Sequence, residues 1–170
     1  LQQSLGHAPS DSARASICFK LANCLFNITY YGKDWMMFSY GWTNNEKAMY
    51  PFTEDSKWAD YNFYPNSLVY GSSYYGCSDA MAMYRQAMRY GHRDRELAAQ
   101  CLLMLAYCDK VVKDFHVRQG SFRNNIYYPP RKQKPFISAY LTRLVHQYKD
   151  TKTFAAGSTD CPDIANYTTE

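Results

Sequence analysis

Apolar residues recur at steps of three and four along much of the chain, and that period predicts helices. Over residues 12–31, Ile17, Leu21, Cys24, Leu25 and Ile28 fall on one helical face. Asp11 or Ser12 offers the first turn a short oxygen-bearing side chain that accepts from its free amides. A segment opened by Pro65 or Asn66 carries Leu68, Val69, Ser72 and Tyr75. The next, capped by Ser78 or Asp79, turns Ala80, Met83, Tyr84, Ala87 and Met88 inward and stops at Gly91. The clearest pattern spans 95–113, where Leu97, Cys101, Leu105, Cys108 and Val112 follow one another at helical spacing. Over 136–148, Phe136, Tyr140, Leu144 and Tyr148 form one row, with Ile137, Leu141 and Val145 beside it. Asp150 is placed to cap a short last helix that Gly157 ends.

Two glycines punctuate this pattern in the same way. Tyr-Tyr-Gly occurs at 30–32 and again at 74–76. A glycine there closes a helix in the left-handed conformation without a Cβ penalty. Asp34 then caps a new helix starting at Trp35. Helices broken so closely pair as αα-hairpins. Each hairpin leaves an apolar face that only a neighbouring hairpin buries, so the pairs stack. The expected fold is all-α: antiparallel helical hairpins stacked as a short α-α superhelix. Two stretches break the period, 43–64 and 116–135, the second interrupted by Gly120, Pro129, Pro130 and Pro135. Loops of that length often carry function. The tail from Ser158 reads as a docked or frayed end.

Composition refines the picture modestly. A chain of 170 residues suits one domain, here 1–170. Its 17 tyrosines favour a thin, layered fold with many half-exposed positions. A net charge of +4 is mild, and the one tight basic run, RKQK at 131–134, reads as a solvated loop. Nucleic-acid binding is therefore not expected. No apolar run reaches the roughly 18 residues that a membrane span needs. The opening LQQSLGHAPSDSA reads as the middle of something, so the chain is expected to be the C-terminal part of a longer protein. The six cysteines include no C-x-x-C pair, so the common zinc and thioredoxin spacings are missing. Most of them read as small buried hydrophobes, and one bridge involving Cys77 or Cys161 stays open.

Ala80, Tyr84 and Ala87 form an A-x-x-x-Y-x-x-A phrase that resembles the second helix of a tetratricopeptide repeat. Three further phrases are NITYYGKDW at 27–35, RELAAQCLLMLA at 95–106 and FISAYLTRLVHQYKDT at 136–151. In that order they resemble the C-terminal region of large, uncharacterised exported proteins of Bacteroides-type bacteria. The likeness covers about 15–161. It implies a tetratricopeptide-like superhelix in the periplasm or at the outer-membrane surface, with no activity established for the family. The long 43–64 stretch and FAAGSTDC after 153 depart from it.

Candidate chemistry is sparse. HRDRE at 92–96 resembles a kinase catalytic loop, but the position that would hold magnesium is Ala99, so Asp94 reads as a helix cap. No local signature pairs a cysteine with His7, His92, His116 or His146, and no histidine spacing suits a metal. No catalytic residue, metal site or cofactor is assigned. The aromatic residues Trp42, Trp58, Tyr61, Tyr64, Tyr127 and Tyr128, crowded in or beside the two irregular stretches, are the candidate binding residues. Flat rings with polar edges suit sugar rings and protein hot spots alike. They also serve to cover the open side of helix layers. The expected function is a non-catalytic protein-interaction or scaffolding module of a larger cell-envelope protein, which holds a protein or peptide. A glycan-binding module of an outer-membrane nutrient-uptake system is the alternative, and an enzyme ranks third.

Overall fold

The computed structural model describes residues 5–29, 31–34, 77–123, 136–160 and 164, and for 114–123 and 160 the backbone alone. Helices are the regular structure of these residues, and no strand occurs among them. The elements are α1 (Asp11–Asn27), α2 (Ser78–Tyr90), α3 (Arg95–Arg123), α4 (Ala139–Gln147) and α5 (Lys152–Asp160). Packing runs in series: α1 lies on α2, α2 on α3, and α3 on both α4 and α5. The helix expected from Trp35, the segment 65–76 with Gly76, and the stretch 43–64 fall outside the described residues.

Ser10, one residue before the expected cap, starts α1. Its Oγ accepts from the Ala13 amide at 3.2 Å. The inward face is also turned from the expected one. Ala15, Cys18, Ala22 and Phe26 are buried, Ile17, Leu21, Leu25 and Ile28 are half-buried, and Cys24 is exposed. The reason is steric. Helix axes approach most closely across small side chains, so alanine and cysteine take the seam with α2 and the branched residues flank it.

The chain after α1 folds back over the last turn of the helix. Gly32 N–H donates to Thr29 O at 3.0 Å and Asp34 N–H to Asn27 O at 2.9 Å. Gly32 does not adopt the expected left-handed conformation. Glycine is required there by proximity: a Cβ would lie 2.2 Å from the Asn27 carbonyl oxygen. Gly91, between α2 and α3, is similar. A Cβ there would meet Leu97 Cδ2 at 2.6 Å and Ala15 Cβ at 3.2 Å, so the turn presses against α1.

Buried side chains form two clusters. The first joins Cys18, Ala22 and Phe26 of α1, Cys77, Ala80, Tyr84 and Ala87 at α2, and Cys101, Leu105 and Cys108 of α3. The Ala-Tyr-Ala phrase thus lies wholly inside. Tyr84 donates its hydroxyl to Asn23 Oδ1 at 2.6 Å, and its ring meets Phe19 edge-on at 5.9 Å. The second cluster joins Ala99, Leu102 and Ala106 of α3 to Leu141 and Leu144 of α4 and to Ile164. Helix α3 therefore buries two faces, one toward α1 and α2 and one toward α4. It also runs on to Arg123, through Gly120, where a break was expected. One interior glycine costs about 1 kcal/mol, too little to stop a helix already propagating.

Buried Leu141, Leu144 and Val145 follow the expected rows of α4, but Ile137 precedes the helix and is 71% exposed. Tyr140 accepts from Arg85 Nη2 at 2.6 Å, which ties α4 to α2. Lys113 Nζ donates to Ile137 O at 2.9 Å and sits 5.1 Å from the Phe136 ring centre. Gly157 lies inside α5 and does not end it. A Cβ there would sit 2.7 Å from Ile164 Cδ1.

Truncating Tyr84 empties the middle of the first cluster. Tyr84→Ala should cost about 3–5 kcal/mol in urea denaturation. Tyr84→Phe, which loses only the bond to Asn23, should cost about 1 kcal/mol.

Candidate functional site

The phrase 92–96 folds into the corner where α2, α3 and α5 begin or end, and its polar residues divide the work. Asp94 Oδ1 accepts from the Leu97 amide at 2.9 Å and caps α3, as the sequence predicts. Arg95 reaches across to the turn after α4. Its Nε donates to Asp150 Oδ2 at 3.0 Å, its Nη2 to Asp150 Oδ1 and, at 2.7 Å, to Gln147 O. The guanidinium also stands 5.0 Å from the centre of the Tyr148 ring. That two-pronged contact holds the Asp150 carboxyl below the usual carboxylate range and the guanidinium above its ordinary value. Asp150 is thus a partner of Arg95, not the cap of α5 that its position suggests.

Glu96 supplies that cap from a different helix. Its Oε2 accepts from the Lys152 amide at 3.0 Å, and its Oε1 from the Thr153 amide at 2.8 Å and from the Thr153 hydroxyl. Thr151 completes the turn, accepting from the Phe154 amide at 3.2 Å and donating to Tyr148 O at 2.7 Å. A carboxylate at a helix N-terminus is stabilised by the free amides and by the helix dipole. The Thr153 hydroxyl, followed by the two amides, holds Glu96 below the ordinary carboxylate range against the opposing effect of burial.

Beside this corner an open groove of about 1010 Å³ is lined by the start of α1 and the α2–α3 turn. Ala15, Phe19, Tyr90 and Leu97 give it apolar lining, and Asp11, Arg93 and Asp94 give it charges of both signs. Arg14 lies 5.9 Å from the Tyr90 ring centre and 3.1 Å from Asp11 Oδ1, which organises one wall. No signal in the sequence marks this place, because its walls come from segments nearly eighty residues apart.

The thiols occupy a separate region. Cys18, Cys77, Cys101 and Cys108 are buried and Cys24 is exposed, all unbridged. Burial pushes the Cys18 thiol up, and burial with the Asp94 charge pushes Cys101 up to about 12. Tyr84 among them is raised as well, first by burial and then by the neighbouring thiols. His7, His92 and His146 are exposed. Among the described residues no three histidine, cysteine or acidic side chains come together in a way that could hold a metal ion. No helix among them is long and apolar enough to cross a membrane. The candidate binding residues Trp42, Trp58, Tyr61, Tyr64, Tyr127 and Tyr128 all lie outside the described residues, as does Cys161.

Glu96 titrates lower in the folded chain than in the unfolded one, so the folded state binds fewer protons there. Its stabilisation is full above the ordinary carboxylate range and is lost as pH falls through the lowered value. Glu96→Ala should cost about 1 kcal/mol at neutral pH. The gap in melting temperature between the two proteins should narrow as pH falls below the ordinary carboxylate range, as followed by circular dichroism.

No family model, curated protein or solved structure matches this chain.

Proposed function

We propose that the chain is a non-catalytic protein-interaction module of a larger bacterial cell-envelope protein, with its helices forming part of a tetratricopeptide-like stack of hairpins. The observation that carries this reading is the groove beside α1. Interfaces that bind another protein combine apolar anchors at the centre with a polar, mixed-charge rim. The groove is lined by half-buried Phe19 and Leu97 and by exposed Asp11, Arg93 and Asp94. A peptide segment carries both donors and acceptors along its backbone, and both charge signs at the rim suit it.

The serial packing of α1, α2 and α3 supports the stacked arrangement, as does the burial of Ala80, Tyr84 and Ala87 at their contact. The polar residues of the HRDRE phrase that sit closest to known chemistry serve as caps and ties, which favours binding over turnover. A periplasmic or outer-membrane setting follows from the resemblance of the NITYYGKDW, RELAAQCLLMLA and FISAYLTRLVHQYKDT phrases.

The test is affinity capture from membrane extract with the immobilised chain, followed by titration of the captured protein. Ser16 lines the groove and is exposed, so Ser16→Trp should fill the groove and weaken binding at least tenfold while the melting temperature stays within about 2 °C. Undiminished binding by that variant removes the groove from the account. Saturable heat from a glycan panel, lost in Trp58→Ala, would replace the protein partner with a sugar.

A further inference from the structure

The charges of the groove beside α1 are not alike in what they already hold. Four formally charged side chains line it: Asp11, Arg93, Asp94 and Arg95. Three of them are engaged within the chain. Asp11 Oδ1 lies 3.1 Å from Arg14 Nη1. Asp94 Oδ1 accepts from the Leu97 amide at 2.9 Å. Arg95 holds Asp150 through both its Nε and its Nη2. Arg93 differs: it is exposed in the α2–α3 turn, and its guanidinium has no ion pair or hydrogen bond among the described residues.

The two signs of charge therefore invite different visitors. A cation brought to Asp11 has to share it with Arg14, and one brought to Asp94 competes with the cap of α3. A carboxylate brought to Arg93 displaces nothing, and the planar guanidinium can take it through two parallel N–H donors. Half-buried Phe19 and Leu97 line the same groove, and an apolar side chain laid on them leaves water. Ser16 and Gln100, also in the lining, carry donors and acceptors suited to a peptide backbone.

We propose that the groove takes an acidic peptide segment of a partner protein, with a carboxylate on Arg93 and a neighbouring apolar side chain on Phe19 and Leu97. This rests on the interaction reading above and adds to it the chemistry of the occupant. An exposed ion pair alone is worth little. Here it gains weight because a seated peptide displaces water from the groove. Its main effect is on the choice of partner, since a basic segment brings like charge against Arg93. A protein segment fits better than a membrane surface or a nucleic acid. Those polyanions call for a broad basic face, whereas this lining mixes one unpaired guanidinium with Asp11 and Asp94.

The experiment selects a display library of random short peptides on the immobilised full chain. The enriched consensus peptide, fluorescently labelled, is then titrated by anisotropy. The expected consensus sets an aspartate or glutamate beside a large apolar residue. Arg93→Glu should weaken its binding at least about tenfold, and changing the peptide's acid to lysine should restore it. The same lysine peptide should lose at least about tenfold on the wild type, a result that needs no variant to fold. Arg89→Glu makes an equal change in net charge outside the groove lining and should alter affinity less than about threefold. Ser16→Trp should weaken every peptide that the groove holds. A consensus that is basic or uncharged, or one indifferent to Arg93→Glu, would overturn this proposal, and its loss in Ser16→Trp would still leave the groove as a binding site. Failure to enrich any peptide, or binding unchanged by Ser16→Trp, would remove both readings. Binding of phosphatidylglycerol vesicles in place of any peptide would also overturn the proposal, and would assign Arg93 to a membrane surface.

Discussion

Helix α3 is held on two faces, and the rest of the described structure depends on that constraint. Cys101, Leu105 and Cys108 face α1 and α2, while Ala99, Leu102 and Ala106 face α4. A helix with one apolar stripe sits at the edge of a layered fold. One with two stripes must lie between layers. Helices α2, α4 and α5 each pack against α3, and α1 packs on α2. Its small residues matter as much as its large ones, since alanine and cysteine at the contacts let neighbours come near enough for Tyr84 to be fully enclosed.

The start of α3 does a second kind of work. Asp94, Arg95 and Glu96 are consecutive, yet they address three different targets: their own helix, the turn after α4, and the first amides of α5. Consecutive helical side chains diverge by about 100°, which is why one short polar phrase can tie several elements together. These contacts are largely exposed, so their value lies in fixing register more than in raw stability. The groove shares this corner. Its walls are therefore set by the same caps that anchor α3, with Leu97 and Asp94 belonging to both.

Several of these features were legible from local pattern. The rows of 97–108 and 141–145, the Asp94 cap and the inward Ala80, Tyr84 and Ala87 follow from helical period and cap chemistry alone. The register of α1 was not, because hydrophobicity favours Ile17 and Leu21 for the core, whereas close approach selects Ala15, Cys18 and Ala22. The continuation of α3 through Gly120 was missed because one glycine weighs more in a local pattern than in a helix already formed. Arg95 with Asp150, and Glu96 with Thr153, stand more than fifty positions apart, and no spacing rule reaches that far. The same holds for Cys77 and Cys108. Their common burial in one cluster is a property of the fold. Glycine roles were legible as positions but not as causes: Gly32 and Gly91 are needed for lack of space, with no left-handed turn at either.

The two-sided burial of α3 is tested most directly by native-state hydrogen exchange, resolved by residue, on the full chain. Amides of residues 101–108 should be the slowest of all, exchanging only through global unfolding, with α5 opening well before them. If those amides exchange as fast as the ones in α5, then α3 is not held on two faces, and the packing account fails.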